Sequence, residues 1–261
     1  MKDFTIHTFK MLLTTLQEQN FHFIPFCEVK NAIKPFNIIL RHDVDRLPEN
    51  ALRTARIEYE LGIRGTYNFR MTGKPLDEKI IKKIYELGHE IGYHYEDLAL
   101  TNGNYEKAIE SFRNNLGRLR NLCPVKTICM HGSPRSRWDS RLLWKYYDYR
   151  EFEIECEPYF DLNMESVLYL TDTGRRWNGS AVSIRDKAWD KEHGAENFRR
   201  SDSETERLRD KIERVSSRQA ATGSWDSMIN PEPGTRNPEP FSTWKIQPIP
   251  GSLMTVSYTH L

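Results

Sequence analysis

Two stretches of the chain combine acidic and histidine side chains at the point where an apolar run ends. Residues 38–45 finish with Asp43 and Asp45, and residues 87–97 include His94. Carboxylates and imidazoles bind divalent cations, and a bound cation activates water for hydrolysis. An apolar run that stops at such side chains is typical of a buried strand that delivers polar groups to one edge of a sheet. The pattern therefore favours a metal-assisted hydrolase.

In the first stretch, Asp43 and Asp45 are two residues apart, a spacing that allows both carboxylates to act at one metal site. Side chains two residues apart on an extended strand lie on the same face, so Asp43 and Asp45 are expected side by side. One would bind the cation while the other takes a proton from the activated water. The alternative is that Asp45 begins the next helix as an N-cap. Capping would leave His42 and Asp43 unexplained, which favours the catalytic interpretation.

In the second stretch, the alternation of side chains along the predicted strand shows which residues share a face. Glu90, Gly92 and His94 share one face of the predicted strand. His94 stands at the carboxyl end of that strand and is the predicted ligand. His89 lies at the opposite end, about 16 Å away at roughly 3.3 Å per residue, and is predicted to be structural.

Several polar side chains follow the predicted strand ends and are further candidates. They are Glu96, Asp97, His131, Asp172, Arg175 and Trp177. His131 is expected at the same edge as a further ligand, whereas Glu96 and Asp97 are either oxygen ligands or solvated loop acids. Asp172 would orient a catalytic group and Trp177 would stack on a sugar ring, with Arg175 beside them. The alternative for that segment is a polar turn next to a core tryptophan.

Composition narrows the class of protein. The 261 residues carry a net charge of +1, which gives no general field for nucleic acid or an anionic membrane. No window approaches about 18 consecutive apolar residues, and the first residues lack a signal-peptide pattern. The cysteines are too sparse for a disulfide scaffold and are expected as buried free thiols. We expect a cytoplasmic protein with neither a nucleic-acid nor a membrane partner.

Apolar patterning predicts strands and helices in alternation. Strands are predicted at 21–26, 36–41, 65–69, 90–94, 125–130 and 167–171, and helices at 7–19, 49–61, 77–87, 105–121 and 138–146. Alternation with short connections indicates a parallel sheet with right-handed crossovers. Either an open sheet or a nearly closed β/α barrel fits this length. In both, ligands bind at the carboxyl ends of the strands, where the candidate residues fall.

The motifs at 42–45 and 88–94, in this order, resemble those of the polysaccharide deacetylase (NodB-homology) superfamily of carbohydrate esterases and related amide hydrolases. The resemblance covers residues 36–180 and is most specific at 88–94. It implies an α/β fold, a distorted (β/α) barrel of about seven strands. It also implies a divalent metal ion, expected to be zinc, and removal of an N-acetyl or related acyl group from an amino sugar or glycan precursor.

The resemblance assigns roles residue by residue. Asp43 matches the catalytic base of the family, Asp45 its metal-binding acid and His94 its first metal histidine. The second metal histidine of the family comes four residues later, where this chain has Leu98. We therefore expect another side chain, His131 or alternatively the acid next to Leu98, Asp97, to fill that ligand position.

Other departures from the family leave alternatives open. Residues 131–134 replace the usual arginine-proline motif, and the late-strand histidine of the family has no counterpart before the final hexapeptide. One alternative is a catalytically impaired barrel that binds a sugar nucleotide or glycan. Another is a deformylase or cyclic-amide hydrolase on the same scaffold.

Composition along the chain predicts its organisation. Residues 1–35 form an N-terminal helix-strand extension, and 36–185 form the deacetylase-like barrel. Residues 186–240 are a charged insert that is expected to be partly disordered. Residues 241–255 begin a late barrel strand. The hexapeptide 256–261 resembles a translated sequencing adapter, so the barrel is expected to be incomplete there unless this is an ordinary short tail.

Overall fold

The computed structural model describes residues 5–31, 36–73, 76–132, 136–162, 167–171 and 253–258, the last two ranges as strand backbone. Seven parallel strands form one sheet in the spatial order β5-β4-β3-β2-β7-β6, with the short β1 also paired to β2. The strands are β1 (His22–Phe23), β2 (Asn37–Val44), β3 (Thr66–Phe69), β4 (Glu90–Tyr95), β5 (Thr127–Met130), β6 (Val167–Thr171) and β7 (Leu253–Tyr258). This confirms the predicted parallel α/β architecture.

Six α-helices and three 3-10 helices connect the described strands. The α-helices are α1 (Ile6–Glu18), α2 (Pro48–Glu60), α3 (Glu78–Glu86), α4 (Asp97–Leu100), α5 (Tyr105–Arg120) and α6 (Pro158–Asp161). The 3-10 helices are Phe26–Asn31, Ser140–Lys145 and Tyr149–Phe152. None of the described helices is both long and apolar enough to cross a membrane.

Local sequence signals explain most of the boundaries. The Asp77 side chain accepts backbone N–H bonds at the start of α3, and Gly62 and Gly88 take positive φ angles directly after α2 and α3. The α-helix predicted at 138–146 is wrong. Asp139 caps a 3-10 helix instead, and the last turn closes with an i to i+3 bond from Tyr146.

The two faces of the sheet differ in polarity. One face packs against the helices and carries apolar side chains, namely Tyr67, Phe69, Ile91, Tyr93 and Ile128. The register aligns Asp43, Asn68, Gly92 and Thr127 on the opposite face. We call this opposite face the polar face. All eight residues of β2 are buried, so both of its faces are covered.

The described strands form an open sheet. β5 and β6 are its outermost strands, and within the described residues they do not pair with each other. A closed seven-strand barrel and the insert at 186–240 therefore stay predictions, since residues 172–252 lie outside the described part. β7 runs through Tyr258, so three residues of the hexapeptide 256–261 continue the strand between β2 and β6. Its origin as an artefact also stays a prediction.

Candidate metal centre and active site

Three parallel strands bring the predicted acids and histidines to one edge of the sheet. Asp43 is near the end of β2 and Asp45 follows it, while His94 lies near the end of β4 and His131 directly follows β5. Asp45 does not act as the helix cap considered above, because α2 begins after Leu47 without a side-chain cap bond. The parallel arrangement thus gathers residues that are far apart in sequence.

Asp45, His94 and His131 form a compact triangle of donor atoms. Oδ1 of Asp45 lies 3.1 Å from Nδ1 of His131 and 3.6 Å from Nε2 of His94, and the two nitrogens are 3.1 Å apart. Ligands that bind zinc at about 2.0–2.2 Å in tetrahedral geometry lie roughly 3.3 Å from one another. The three atoms are therefore spaced as the protein ligands of one such cation.

A buried oxygen of Asp45 supports the same conclusion. Its Oδ1 atom is shielded from solvent and makes no well-aligned hydrogen bond within the described residues, although Nδ1 of His131 lies 3.1 Å away. A buried carboxylate oxygen without a partner is costly, and a cation is one way to satisfy it. Burial opposes ionisation of Asp45, but the nearby imidazoles of His131 and His94 outweigh it and hold the pKa of the carboxyl below its usual range. The residues present thus fit a divalent cation.

His94 is held in the form that binds a cation. Its Nδ1 donates to the carbonyl oxygen of Cys129 at 2.9 Å, which leaves the lone pair of Nε2 directed at Asp45 and His131. Burial lowers the pKa of His94 to about 4. The imidazole is therefore neutral at neutral pH, as cation binding requires.

Asp43 lies beside the triangle and is fixed by two polar neighbours. Arg41 donates from Nε to Oδ1 at 3.0 Å and from Nη2 to Oδ2 at 2.5 Å, and Asn68 donates to Oδ1 at 3.0 Å. Burial would raise the pKa of Asp43, but the charge and hydrogen bonds of Arg41 outweigh it and hold the pKa well below its usual range. Oδ2 is 3.8 Å from Nε2 of His94. Asp43 is therefore an ionised carboxylate next to the candidate cation site.

Sequence reasoning missed the two side chains that hold Asp43. Arg41 is two residues before Asp43 on the polar face, so strand alternation contained the signal. Asn68 comes from β3, and only the register Asp43↔Asn68 places it there. Gly92 provides the space, because a Cβ atom at that position would overlap Oδ1 of Asn68.

No family model and no curated protein matches this sequence. Among solved structures, the chain is similar to a family 4 carbohydrate esterase from Bacillus anthracis, with 16% identity and a TM-score of 0.38. That similarity covers 56% of this chain and 67% of the other. A likeness this weak supports no inference about the site, so the function must be argued from the geometry.

Two acids predicted near His94 have other partners. Asp97 accepts hydrogen bonds from Tyr93 at 2.6 Å and from Ser111 at 2.6 Å, so it faces α5 and is absent from the triangle. Asp97 is therefore directed away from the donor atoms and His131 is among them, and the metal-binding role of either side chain stays a prediction. Glu96 is buried, and its expected role as a solvated loop acid is wrong.

The remaining histidines of the two motifs are structural in their contacts. Nδ1 of His89 accepts the Gly65 N–H and Nε2 donates to the carbonyl of Ala55, which agrees with its prediction. His42 lies on the other face of β2 and pairs with Glu58 at 2.7 Å. The candidates Asp172, Arg175 and Trp177 lie outside the described residues.

A second group of donors overlaps the triangle. Asp43, His94 and Cys129 also lie close enough together to hold a cation. Both oxygens of Asp43 are bound by Arg41, and burial raises the pKa of the Cys129 thiol well above its ordinary value. A protonated thiol is a poor ligand, so the Asp45 group is the better site.

Proposed function

We propose that this protein is a metal-dependent hydrolase that removes an acyl group, an N-acetyl group in the first instance, from an amino sugar or related amide. Asp45, His94 and His131 hold the cation, and Asp43 is the catalytic base. The observation that carries the proposal is the triangle of donor atoms beside an ionised, immobilised carboxylate. The proposed scaffold is the distorted (β/α) barrel of about seven strands.

Zinc is the proposed cation because of the donor set. Two imidazole nitrogens and one carboxylate oxygen are ligands that zinc accepts, and catalytic zinc sites have three protein ligands and an open position. A site that is built for Mg²⁺ or Ca²⁺ would present mainly oxygen atoms.

The residues of this chain divide the chemistry between them. When bound, the cation supplies Lewis acidity, which polarises the acyl carbonyl and lowers the pKa of water towards about 7. Asp43 would accept a proton from a water molecule at this site, because it is ionised and its oxygens are already oriented by Arg41 and Asn68. Its low pKa makes it a weak base in isolation, so it depends on the acidified water. An acylated amino sugar or glycan precursor is the proposed substrate.

Leu98 supports a second candidate function. It occupies the place of the second metal histidine of the family and is fully buried in the apolar core. A protein that needed no turnover could bind a sugar in the same place without hydrolysing it. Under this alternative, the purified protein would bind a glycan but contain no stoichiometric zinc.

Metal analysis tests the proposed site directly. We expect purified protein to contain close to one equivalent of zinc, and both Asp45→Ala and His94→Ala to lose it. His7→Ala is a matched control, since His7 is exposed on α1. Unchanged zinc content in both site variants would refute the site. Measuring acetate, formate and ammonia release from acylated amino sugars and cyclic amides then separates a deacetylase from a deformylase or a cyclic-amide hydrolase.

A further inference from the structure

Glu96 is a buried carboxylate that the proposed chemistry does not use. It lies between β4 and α4, on the loop that follows His94. Its Oε1 atom accepts hydrogen bonds from Nε of Arg70 at 2.7 Å and from Oγ1 of Thr72 at 2.8 Å. These contacts come from the segment after β3 and fix the orientation of the carboxylate.

The second oxygen of Glu96 faces a candidate metal ligand. Oε2 lies 3.9 Å from Nε2 of His131, which is too long for a direct hydrogen bond but within the distance of an ion pair or a contact bridged by one water molecule, while Nδ1 of the same ring is the nitrogen that faces Asp45 and His94. An imidazole that binds a cation through Nδ1 carries its proton on Nε2. Histidine ligands of metals usually donate that proton to a carboxylate, a carbonyl or water, which fixes the ring and makes it more basic.

We infer that Glu96 is the positioning residue of His131, and that Arg70 and Thr72 hold it in that role. The inference rests on the proposed metal site. Glu96 is not itself a ligand, because it approaches the ring from the side opposite the donor triangle. His131 follows β5, whereas Glu96 follows β4, so the contact ties together the two segments that carry the histidine ligands.

The test measures zinc affinity in variants of the full-length protein. We expect Glu96→Ala to weaken zinc binding by about 10- to 100-fold, the usual effect of removing such a partner. Glu96→Gln should recover part of the affinity, since its amide oxygen still accepts a hydrogen bond but carries no charge. Glu155→Ala is the control, because Glu155 pairs with Lys126 at the surface and should leave the affinity unchanged.

Two further measurements separate positioning from general destabilisation. Metal-free Glu96→Gln should remain folded at the temperature of the binding assay, although the lost charge beside Arg70 lowers its melting temperature, while its zinc affinity falls. In the zinc-loaded wild type, NMR should show a protected N–H proton on Nε2 of His131. If Glu96→Ala does not fold, Thr72→Ala removes one anchor of the carboxylate and should weaken zinc binding by a few-fold.

The outcomes distinguish this inference from the proposed function. Zinc affinity within twofold of wild type in the folded Glu96 and Thr72 variants would overturn the role of Glu96 and leave the metal site intact. A proton on Nδ1 of His131 in the zinc-loaded protein would also overturn it. A wild type that binds no zinc would overturn the metal site, and the role of Glu96 with it.

Discussion

At the scale of single residues, the site combines groups whose ionisation is set by burial and by specific partners. Asp43 is buried, yet Arg41 and Asn68 keep it charged. His94 is buried without an equivalent compensation and is kept neutral. Both effects suit a hydrolytic centre, since the base must be ionised and the ligand must offer a lone pair.

The first prediction concerns Asp43 as the base. Asp43→Asn should lower turnover by about 10²- to 10⁴-fold, because asparagine is nearly isosteric but accepts no proton. Zinc content should be retained, and the thermal stability should fall because the buried charge of Arg41 loses the opposite charge of Asp43. Asp148→Asn is the control, since this exposed residue caps a 3-10 helix and asparagine caps equally well. Turnover within threefold of wild type would make Asp43 structural.

The second prediction concerns the pH dependence of the metal-free protein. The pKa of His94 is about 4 in the folded state and 6.5 when unperturbed, so between these values the unfolded chain binds a proton that the folded state excludes. The contribution of His94 to the free energy of unfolding is therefore largest above pH 6.5, and it is lost as the pH falls towards 4. Over this pH range, the free energy of unfolding of the wild type should fall by roughly 3 kcal/mol relative to that of His94→Gln, because glutamine does not titrate.

Comparison with the variant separates His94 from titrating groups that do not interact with it. Burial raises the pKa of Glu157 to about 7, so this carboxyl acts in the opposite direction over the same pH range. Its contribution is common to both proteins and cancels in the difference. Denaturant unfolding at several pH values gives the two curves, and parallel curves would contradict a lowered pKa for His94.

At the scale of secondary-structure elements, the register of the strands decides which side chains meet. Asn68 on β3 lies between Asp43 on β2 and Gly92 on β4. The absence of a side chain at Gly92 lets Asn68 reach Asp43, so the glycine has a packing role in the site.

The third prediction follows from that packing. Gly92→Ala should displace Asn68, destabilise the protein by about 1–3 kcal/mol and reduce turnover, because the added Cβ overlaps buried side-chain atoms. Gly117→Ala is the matched control. Gly117 lies within α5 with open space around it, so alanine there should stabilise the protein by about 0.5–1 kcal/mol. Equal effects of the two substitutions on unfolding would contradict the packing argument.

At the scale of the whole molecule, β7 connects the two parts of the sheet. It pairs with β2 on one side and with β6 on the other, although more than 200 residues separate it from β2 in the chain. β2 carries Asp43, the proposed base, so the last described strand supports the strand on which the proposed site depends.

The fourth prediction tests that support. A chain that ends after residue 252 should melt at a lower temperature than one that ends after residue 258, and it should aggregate, because the edge of β2 would expose unpaired backbone groups. The chain that ends after residue 258 should behave like the 261-residue chain. Calorimetry and light scattering give the comparison. Equal melting temperatures of the two shortened chains would show that β7 is dispensable.

The sequence by itself determined the alternation of elements and the set of polar side chains from which the donor triangle is drawn. Apolar periodicity and glycine stop signals are local, so β2, α2, β3, α3, β4 and α5 lie close to their predicted positions. Alternation along one strand placed Asp43 and Asp45 correctly, and His94 at the end of another. The cysteines within the described residues are free, as expected.

Only the tertiary structure decided which of several polar candidates reach the triangle. His131 was the preferred candidate for the open ligand position and Asp97 was the alternative, and no local sequence signal shows which of them reaches it. Tyr93 and Ser111 donate hydrogen bonds to Asp97, which therefore lies against α5. The register of β4 and β5 places His131 next to His94. Such choices depend on contacts between residues distant in sequence, and these exist only once the strands are paired and the helices packed.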